Sequence, residues 1–420
     1  MINLSEKFFS IFLLIIPISI LIGPSISLLN IIFLGGFYLY FFIKLKHYDF
    51  LFKDKTIRIF SILYLYLIFN TFISLTVENS ISRNLGFIRF ILLFLAINYL
   101  FFISEKNKKI FFFWTTIFLV FIFDVYFERI TGANIFGWGA LSLDGVPQPH
   151  GNRIVSFFKD EPIAGAFING FIFLISGYLL DILKNKKYRN IIFFIAILIF
   201  LSSVLITGER SNTIKAIFGL TLFICLIEIF DFKLKITFLI ILPIVIILTV
   251  FNTDYLKNRF FDQIFSQIYS EKNLKKFNDN IYIKLYKSGF EVFKNNPLIG
   301  VGNKNYRVET CDEKKAKKNE YFCMTHPHQI YFEFLSEHGL IGTILILYSF
   351  FILIFKNLRV IIVSQNYLQI GAFTFLICNF LPLIPSGAFF SDFNISLFIL
   401  NLSILYAVNK KTNVFFLEKK

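Results

Sequence analysis

The sequence predicts an all-α polytopic membrane protein with about twelve transmembrane helices. Of its 420 residues, 56% are hydrophobic, and the mean hydropathy of +0.69 lies far outside the range of soluble globular domains. Long apolar runs alternate with short charged segments along most of the chain. Apolar runs of this length are typical of helices that cross a bilayer.

The spans follow one another along the chain with one long interruption. Their predicted bounds are 8–22, 26–44, 58–77, 85–104, 110–126, 163–183, 190–206, 213–230, 236–251, 334–355, 366–384 and 394–408. The interruption, 252–333, is the one stretch large enough to form a domain outside the membrane. The chain therefore divides into 1–251 with transmembrane helices 1–9, the external loop domain 252–333, and 334–420 with helices 10–12 and a cytoplasmic tail.

Basic residues predict the orientation of these helices. They are concentrated in every second connection, whereas the short loops on the other side hold only Arg83 and Arg210. The basic connections include 44–58, 106–109 and 184–189, and the opposite short loops are 78–84, 207–212 and 385–393. Cytoplasmic connections are enriched in Lys and Arg. Both termini are therefore predicted to be cytoplasmic, and the two long loops, 127–162 and 252–333, to be external.

The external loop 252–333 contains more basic than acidic residues. A basic domain next to a bilayer suits an anionic partner, and the alternative is a solvated surface that faces anionic lipid headgroups. The net charge of +15 is not by itself a sign of nucleic-acid binding, and the sequence has no glycine-rich phosphate loop. Two of the four cysteines, Cys311 and Cys323, share this loop and can pair if it faces an oxidising compartment.

Two of the five histidines lie where this loop turns into an apolar helix, in the sequence Thr325-His326-Pro327-His328-Gln329. Pro327 suits the first turn of a helix, which predicts a helix over 327–355. Such a helix is ~43 Å long and exceeds the ~30 Å apolar core of a bilayer, so His328 is expected to stand above the outer face. Glu333 and Glu337 are then expected to point largely away from His328.

His328 is the best candidate for proton transfer. The positive end of a helix disfavours a charged imidazole and favours a nearby anion, which suits a general base beside a phosphate-activated donor. The alternative is that His328 only caps and packs the helix start. His326 is a weaker candidate for the base, because it is expected to point elsewhere or to lie in the loop. A zinc site with Cys311 and Cys323 lacks the paired ligand spacing of such sites.

Three arginines on the external side are candidates for binding phosphate, because a guanidinium is permanently charged and binds phosphate oxygens with two parallel hydrogen bonds. Arg210 lies in a short hairpin between two spans, Arg153 lies just before a span, and Arg89 lies shallowly inside span 85–104. For Arg210, the alternative is a salt bridge to Glu209 or to a lipid headgroup.

Together these segments resemble the O-antigen ligase and polymerase superfamily of bacterial envelope glycosyltransferases. Four motifs carry the resemblance: Arg153 with Ser156-Phe157-Phe158, Gly208-Glu209-Arg210-Ser211, Asn296-Pro297-Leu298-Ile299-Gly300-Val301-Gly302, and His326-Pro327-His328-Gln329 followed after nine residues by Gly339-Leu340-Ile341-Gly342-Thr343. The arrangement of Cys311 and Cys323 before the histidines resembles a subgroup with a periplasmic disulfide. About twelve spans and one large late loop resemble the topology of the superfamily.

The resemblance implies a GT-C-like transferase that needs neither metal nor another cofactor and takes its glycan from undecaprenyl pyrophosphate. It implies His328 and Arg210 as catalytic residues. The residues predicted to bind the substrate alongside them are Arg89, Arg153, Lys284, Lys287, Arg307 and His326. This chain departs from the pattern at Gln329, where the motif usually has Asn, and at Ile346, where it usually has Tyr. It also lacks an arginine before the Asn-Pro-Leu turn, where the nearest cations are Lys284 and Lys287.

The sequence therefore predicts an inverting membrane glycosyltransferase of the bacterial inner membrane with a periplasmic active site. The predicted acceptor is a sugar hydroxyl of the lipid A-core. A polymerase of the same superfamily would instead use a second lipid-linked glycan, and a protein hydroxyl is a third possible acceptor. A lipid-linked glycan transporter is the alternative from another class, but it would need charges along a path through the bilayer centre.

Overall fold

A computed structural model describes residues 2–45, 54–104, 108–139, 152–263 and 280–416. Within these ranges the chain forms helices and turns, and no β-strand occurs. The α-helices are α1 Ile2–Leu14, α2 Ile16–Ile22, α3 Pro24–Leu45, α4 Lys55–Phe72, α5 Val77–Asn84, α6 Ile88–Ile103, α7 Lys108–Thr131, α8 Ala164–Leu183, α9 Arg189–Ile206, α10 Arg210–Leu226, α11 Phe232–Phe251, α12 Asp254–Lys257, α13 Ile281–Asn295, α14 Tyr306–Thr310, α15 Glu313–Asn319, α16 Ile330–Phe355, α17 Leu358–Ser364, α18 Tyr367–Asn379 and α19 Asp392–Ala407. The predicted all-α fold class is confirmed.

Seven helical segments in the described part of the chain are long and apolar enough to cross a membrane. They are Pro24–Lys44, Val77–Ile103, Lys109–Thr131, Ala164–Leu183, Arg189–Ile206, Phe232–Phe251 and Ile330–Ser364. A helix lies at each of the twelve predicted positions, but the count of twelve spans is not confirmed. Two reasons are visible, because α1 and α2 divide the predicted span 8–22 and α18 has only 13 residues.

The helices pack around an aromatic core. Helix α8 contacts α18, α9 and α7, while α6 contacts α19 and α3. Phenylalanine side chains fill the spaces between them, as where the rings of Phe121 on α7 and Phe167 on α8 have centroids 4.6 Å apart. Large apolar side chains on α11, among them Ile240, Ile244 and Leu248, are exposed, as expected for a helix that faces lipid.

The chain segment between α11 and α16 forms a small second core. This core consists of Val292, Val301, Tyr306 and Tyr321. A disulfide joins Cys311 to Cys323 beside it. The residues of this core come from the segment predicted as the external loop domain, 252–333, of which 264–279 lies outside the described residues.

Two predicted boundaries differ from the helix ends that the structure shows. Helix α7 continues to Thr131, so the loop predicted at 127–162 starts later, and its part 140–151 lies outside the described residues. Helix α16 begins at Ile330 and not at 327. The Gln329 side chain accepts hydrogen bonds from the N–H groups of Tyr331 and Phe332, and His328 has a left-handed φ of 56°. The side-chain cap therefore determines the helix start, and Pro327 lies outside the helix.

Helix α16 is broken at Gly339, where φ is 63° and ψ is −169°. The loop 296–302 supplies the missing hydrogen bonds. Leu340 N donates to Pro297 O at 2.8 Å and Ile341 N to Leu298 O at 3.1 Å. Two loop amides donate in return, Val301 N to the carbonyl of Ser336 and Gly302 N to that of Glu337. The two glycine motifs of the sequence are therefore one interlocked structure.

The interlock requires close approach of two backbones. A Cβ on Gly339 would lie 2.4 Å from Ile299 N, and one on Gly300 would lie 2.5 Å from His338 N. Glu337 and Glu333, which were expected to point away from His328, are both buried. Glu333 accepts from Phe389 N at 2.9 Å, so its carboxylate connects α16 to a neighbouring loop.

Candidate functional site

The hairpin between α9 and α10 carries Glu209 and Arg210. Glu209 accepts hydrogen bonds of 2.6 Å from Gly165 N at the start of α8 and from Asn212 Nδ2. Both carboxylate oxygens of Glu209 therefore bind partners other than Arg210. The alternative of an Arg210–Glu209 salt bridge does not occur. Burial raises the pKa of Glu209 to about 7, although these hydrogen bonds and the charge of Arg153 act in the opposite direction.

Three arginines lie together at this hairpin. Ile154 N donates to Thr207 O at 3.2 Å, which places the neighbouring Arg153 beside the hairpin. Arg259 Nε donates to Gly208 O at 3.1 Å. Burial lowers the pKa of Arg259, and the charges of Arg210 and Arg153 lower it further. We call Arg153, Arg210 and Arg259 the arginine cluster.

Other side chains hold the hairpin in place. Arg129 donates from Nε to Ile206 O at 3.1 Å and from Nη2 to Asn152 O at 3.2 Å. Its guanidinium lies 4.2 Å from the ring centroid of Tyr255. Arg129 thus joins the ends of α7 and α9 to the segment that carries Arg153. It thereby stabilises the backbone that positions the cluster.

The arginine cluster has the properties of an anion site. It brings together three guanidinium groups, which match phosphate oxygens with paired hydrogen bonds. It lies at the N-termini of α8 and α10, whose backbone dipoles also favour negative charge. Arg259 belongs to a π-helical turn, Asn258–Asp262, and such turns are frequent at functional sites.

The two histidines of the loop form a pair. The ring centroids of His326 and His328 are 3.9 Å apart, and both residues lie in the loop before α16, which is the second of the two positions expected for His326. The carbonyl of His328 accepts from Ser386 N at 2.9 Å, which fixes its left-handed backbone. Burial lowers the pKa of His328. Burial and the charge of His328 lower the pKa of His326 to about 4.

Tyr282 interacts with a residue of the histidine pair and with a residue of the arginine cluster. Its ring centroid is 6.5 Å from that of His328, and its hydroxyl interacts electrostatically with Arg259. Tyr282 is in the first turn of α13, where the Asn280 side chain accepts from its N–H at 2.9 Å. Lys284 and Lys287 follow on the same helix, the first partly buried and the second exposed.

Two of the predicted substrate-binding residues lie in other surroundings. Arg89 pairs with Asp392 at 2.7 Å, and Arg83 pairs with the same carboxylate. Arg307 is exposed on α14, beside the disulfide. Neither is among the charges that shift the pKa of Arg259.

No group of three or more His, Cys, Asp or Glu side chains suited to a metal ion occurs in the part of the chain that the structure describes. Cys311 and Cys323, the partners considered for a zinc site with the histidines, are joined to each other.

Four residues of the site were not predicted from the sequence, namely Arg129, Tyr255, Arg259 and Tyr282. Arg259 is one of many basic residues in its segment, and nothing in the adjacent sequence distinguishes it. Its importance depends on the hydrogen bond to Gly208, which joins residues far apart along the chain.

Residues 194–347 match the protein-family model described as O-antigen ligase. This range includes Arg210, Arg259, both histidines and the interlock at Gly339, and it excludes Arg153 and Arg89. No curated protein matches the chain. The family match and the apolar helices support an integral membrane protein with a glycosyltransferase-like activity, and the match over residues 194–347 supports the superfamily predicted from the motifs.

Proposed function

We propose that this chain is a member of the O-antigen ligase and polymerase superfamily that transfers a glycan from undecaprenyl pyrophosphate to a sugar hydroxyl of the lipid A-core at the periplasmic face of the inner membrane. One observation carries the proposal. Tyr282 packs near the ring of His328, which pairs with His326, and it also interacts electrostatically with Arg259 of the arginine cluster. Transfer of a glycan needs a proton acceptor for the attacking hydroxyl and an anion site for the departing pyrophosphate. The histidine pair suits the first role and the arginine cluster suits the second.

The arginine cluster would bind the pyrophosphate of the donor. When the bond between the anomeric carbon and the phosphate oxygen breaks, negative charge grows on that oxygen. Fixed positive groups stabilise a transition state most where charge develops during the reaction. Arg210 and Arg259 are held by the hairpin and the π-helical turn, so little reorganisation accompanies the step. In this proposal the cluster supplies the positive charge without a metal ion.

His328 would take the proton of the acceptor hydroxyl. Its lowered pKa keeps the imidazole neutral at neutral pH, which is the form that accepts a proton. The acceptor oxygen then forms its bond to the anomeric carbon from the face opposite the departing pyrophosphate. The configuration at that carbon is inverted, and the proton remains on His328 until solvent removes it.

His326 would assist from the loop. Its Nδ1 shares a hydrogen bond of 3.0 Å with the Thr325 hydroxyl, and its buried Nε2 has no protein partner. With a pKa of about 4, His326 stays neutral while His328 holds a proton. It can therefore bind or orient the acceptor without competing for the transferred proton.

Reconstitution tests the proposal directly. The purified protein, a synthetic glycan on undecaprenyl pyrophosphate and an acceptor carrying the lipid A-core should together give glycosylated acceptor and free undecaprenyl pyrophosphate. Arg210→Lys and Arg259→Lys should each lose most of the turnover, because lysine keeps the charge and loses the two-pronged geometry. The matched control is Lys257→Ala, which removes an exposed cation near Arg259 and should leave turnover unchanged.

Wild-type turnover by both arginine variants would contradict the role of the cluster. Transfer only to a second lipid-linked glycan would identify a polymerase, whose chemistry at the donor is the same. Deleting the gene distinguishes the two activities in cells. Loss of all long chains from the lipid A-core, with lipid-linked polymer accumulating, indicates a ligase, and core with a single repeat indicates a polymerase.

A further inference from the structure

A small polar cavity lies among α8, α10, α18 and α19, deeper in the bundle than the arginine cluster. Its volume is about 30 Å³. The polar side chains around it are Lys215, Asn169, Asn212, Asn379, Asn394 and Cys378. Lys215 follows Arg210 by five positions on α10, which is ~7.5 Å along the helix axis. We call this cavity the Lys215 pocket.

Lys215 is a cation without a counter-ion. No carboxylate lines the pocket, and the chain as described contains no ion pair of Lys215. The nearest acid along α10, Glu209, is bound to Gly165 N and Asn212 Nδ2. A charged side chain inside a helical membrane bundle is costly and normally has a partner or lines a substrate path. The expected partner of Lys215 is therefore an anion that enters from outside.

The amides around Lys215 indicate a polar site rather than an apolar packing defect. Asn169 is 4% exposed, and its Nδ2 donates to Asn212 O at 2.8 Å. Its Oδ1 is buried without a protein partner. A buried amide oxygen needs a hydrogen-bond donor, which a water molecule, a protonated phosphate or the lysine ammonium can supply. We therefore expect the pocket to bind a polar group.

We propose that the Lys215 pocket binds the lipid-proximal phosphate of a polyprenyl-linked substrate, while the arginine cluster holds the phosphate next to the sugar. A cavity of about 30 Å³ admits roughly two water-sized groups, which suits two oxygens of one phosphate and excludes a sugar ring. The long stem of lysine lets its ammonium rise toward the hairpin. This assignment rests on the proposed function for the identity of the substrate, and it places the polyprenyl chain on the membrane side of Arg210.

The two sites are coupled through one hydrogen-bonded chain. Asn212 lines the pocket and donates to Glu209, which caps α8 at Gly165 beside the arginine cluster. The position of the pocket relative to the hairpin is therefore fixed, and a phosphate held at Lys215 would set the depth at which the donor lies in the membrane.

Binding to the full-length protein in nanodiscs tests the inference without any transfer reaction. The probes are a long-chain polyprenyl monophosphate, the corresponding polyprenol and inorganic phosphate. We expect Lys215→Gln to weaken binding of the polyprenyl monophosphate at least about 10-fold, to leave polyprenol binding unchanged, and Lys215→Arg to retain most of the affinity. Lys233→Met, which removes an exposed lysine at the start of α11, is the matched control and should bind as the wild type does.

A folding measurement accompanies the binding curves. Without ligand, Lys215→Gln should unfold at the same temperature as the wild type or higher, because it removes a desolvated charge. In the wild type and in Lys215→Arg, polyprenyl monophosphate should raise that temperature, and in Lys215→Gln it should not.

Unchanged affinity for polyprenyl monophosphate in Lys215→Gln would overturn the inference. It would also be overturned if inorganic phosphate bound with the same affinity and the same dependence on Lys215, since the ligand would then be a free anion. Lys215-dependent binding in a protein that shows no glycan transfer would instead count against the proposed function alone.

Discussion

His328 is the residue on which the proposed chemistry depends most. His328→Ala should lower kcat by about 10²–10⁴-fold, because it removes the proton acceptor, and it should leave membrane insertion intact. His326→Ala should have a smaller effect, since a pKa of about 4 makes His326 a poor proton acceptor. Turnover of the reconstituted reaction measures both variants. Near-normal turnover by His328→Ala with loss in His326→Ala would move the base to His326.

Glu209 should make stability depend on pH. Its pKa is raised from 4.5 to about 7 in the folded protein, so the folded state holds this proton where the unfolded state has lost it. The stabilising effect is complete below pH 4.5, declines as the pH rises toward 7 and is lost above that. Thermal unfolding from pH 5 to pH 8 should therefore show a fall in the wild type that is smaller in Glu209→Gln. Identical pH dependence of the two proteins would show that Glu209 does not titrate in this range.

At the scale of single elements, the interlock between α16 and the loop 296–302 should be intolerant of a side chain at Gly339. Gly339→Ala adds a Cβ 2.4 Å from Ile299 N at a positive φ, so unfolding should become easier by roughly 3 kcal/mol or more. Gly36→Ala on α3 is the control, because no atom lies within 4 Å of its new Cβ, and it should be neutral or stabilising. Thermal unfolding in detergent measures both, and equal midpoints would contradict the importance of the interlock.

Sequence patterns predicted the helices well and the breaks between them poorly. Hydropathy identified the all-α membrane fold, because an apolar segment in lipid must satisfy its own backbone. It did not show that α16 breaks at Gly339, since the hydrogen bonds that compensate come from a distant loop. For the same reason, the motifs indicated His328 and Arg210 but not Arg259 and Tyr282, which are brought there only by folding. The start of α16 was misplaced because a side-chain cap at Gln329 was not weighed against the proline rule.

At the scale of the whole molecule, the predicted orientation can be tested with one cysteine. Cys225 is an exposed free thiol near the end of α10, in the second half of the predicted span 213–230. Its carbonyl accepts from Lys235 Nζ at 3.0 Å, and the alternation of the spans predicts that this end of the span is cytoplasmic. Cys378 is buried, and Cys311 and Cys323 are in a disulfide. A membrane-impermeant maleimide should therefore label inside-out vesicles and spare intact spheroplasts. Labelling of spheroplasts would reverse the orientation and place the arginine cluster in the cytoplasm.

The disulfide and the interlock together imply that the peptide chain can be cut between Cys311 and Cys323 without separating the two fragments. Helix α15 lies between Cys311 and Cys323 and carries the exposed lysines Lys314, Lys317 and Lys318. Trypsin should cut there first, and the two fragments should separate on a denaturing gel only after reduction. Even then, four backbone hydrogen bonds still tie the loop 296–302 on the N-terminal fragment to α16 on the C-terminal one. We expect the nicked protein to migrate as one particle under native conditions, which would make it a natural starting point for a two-chain, split version of the protein.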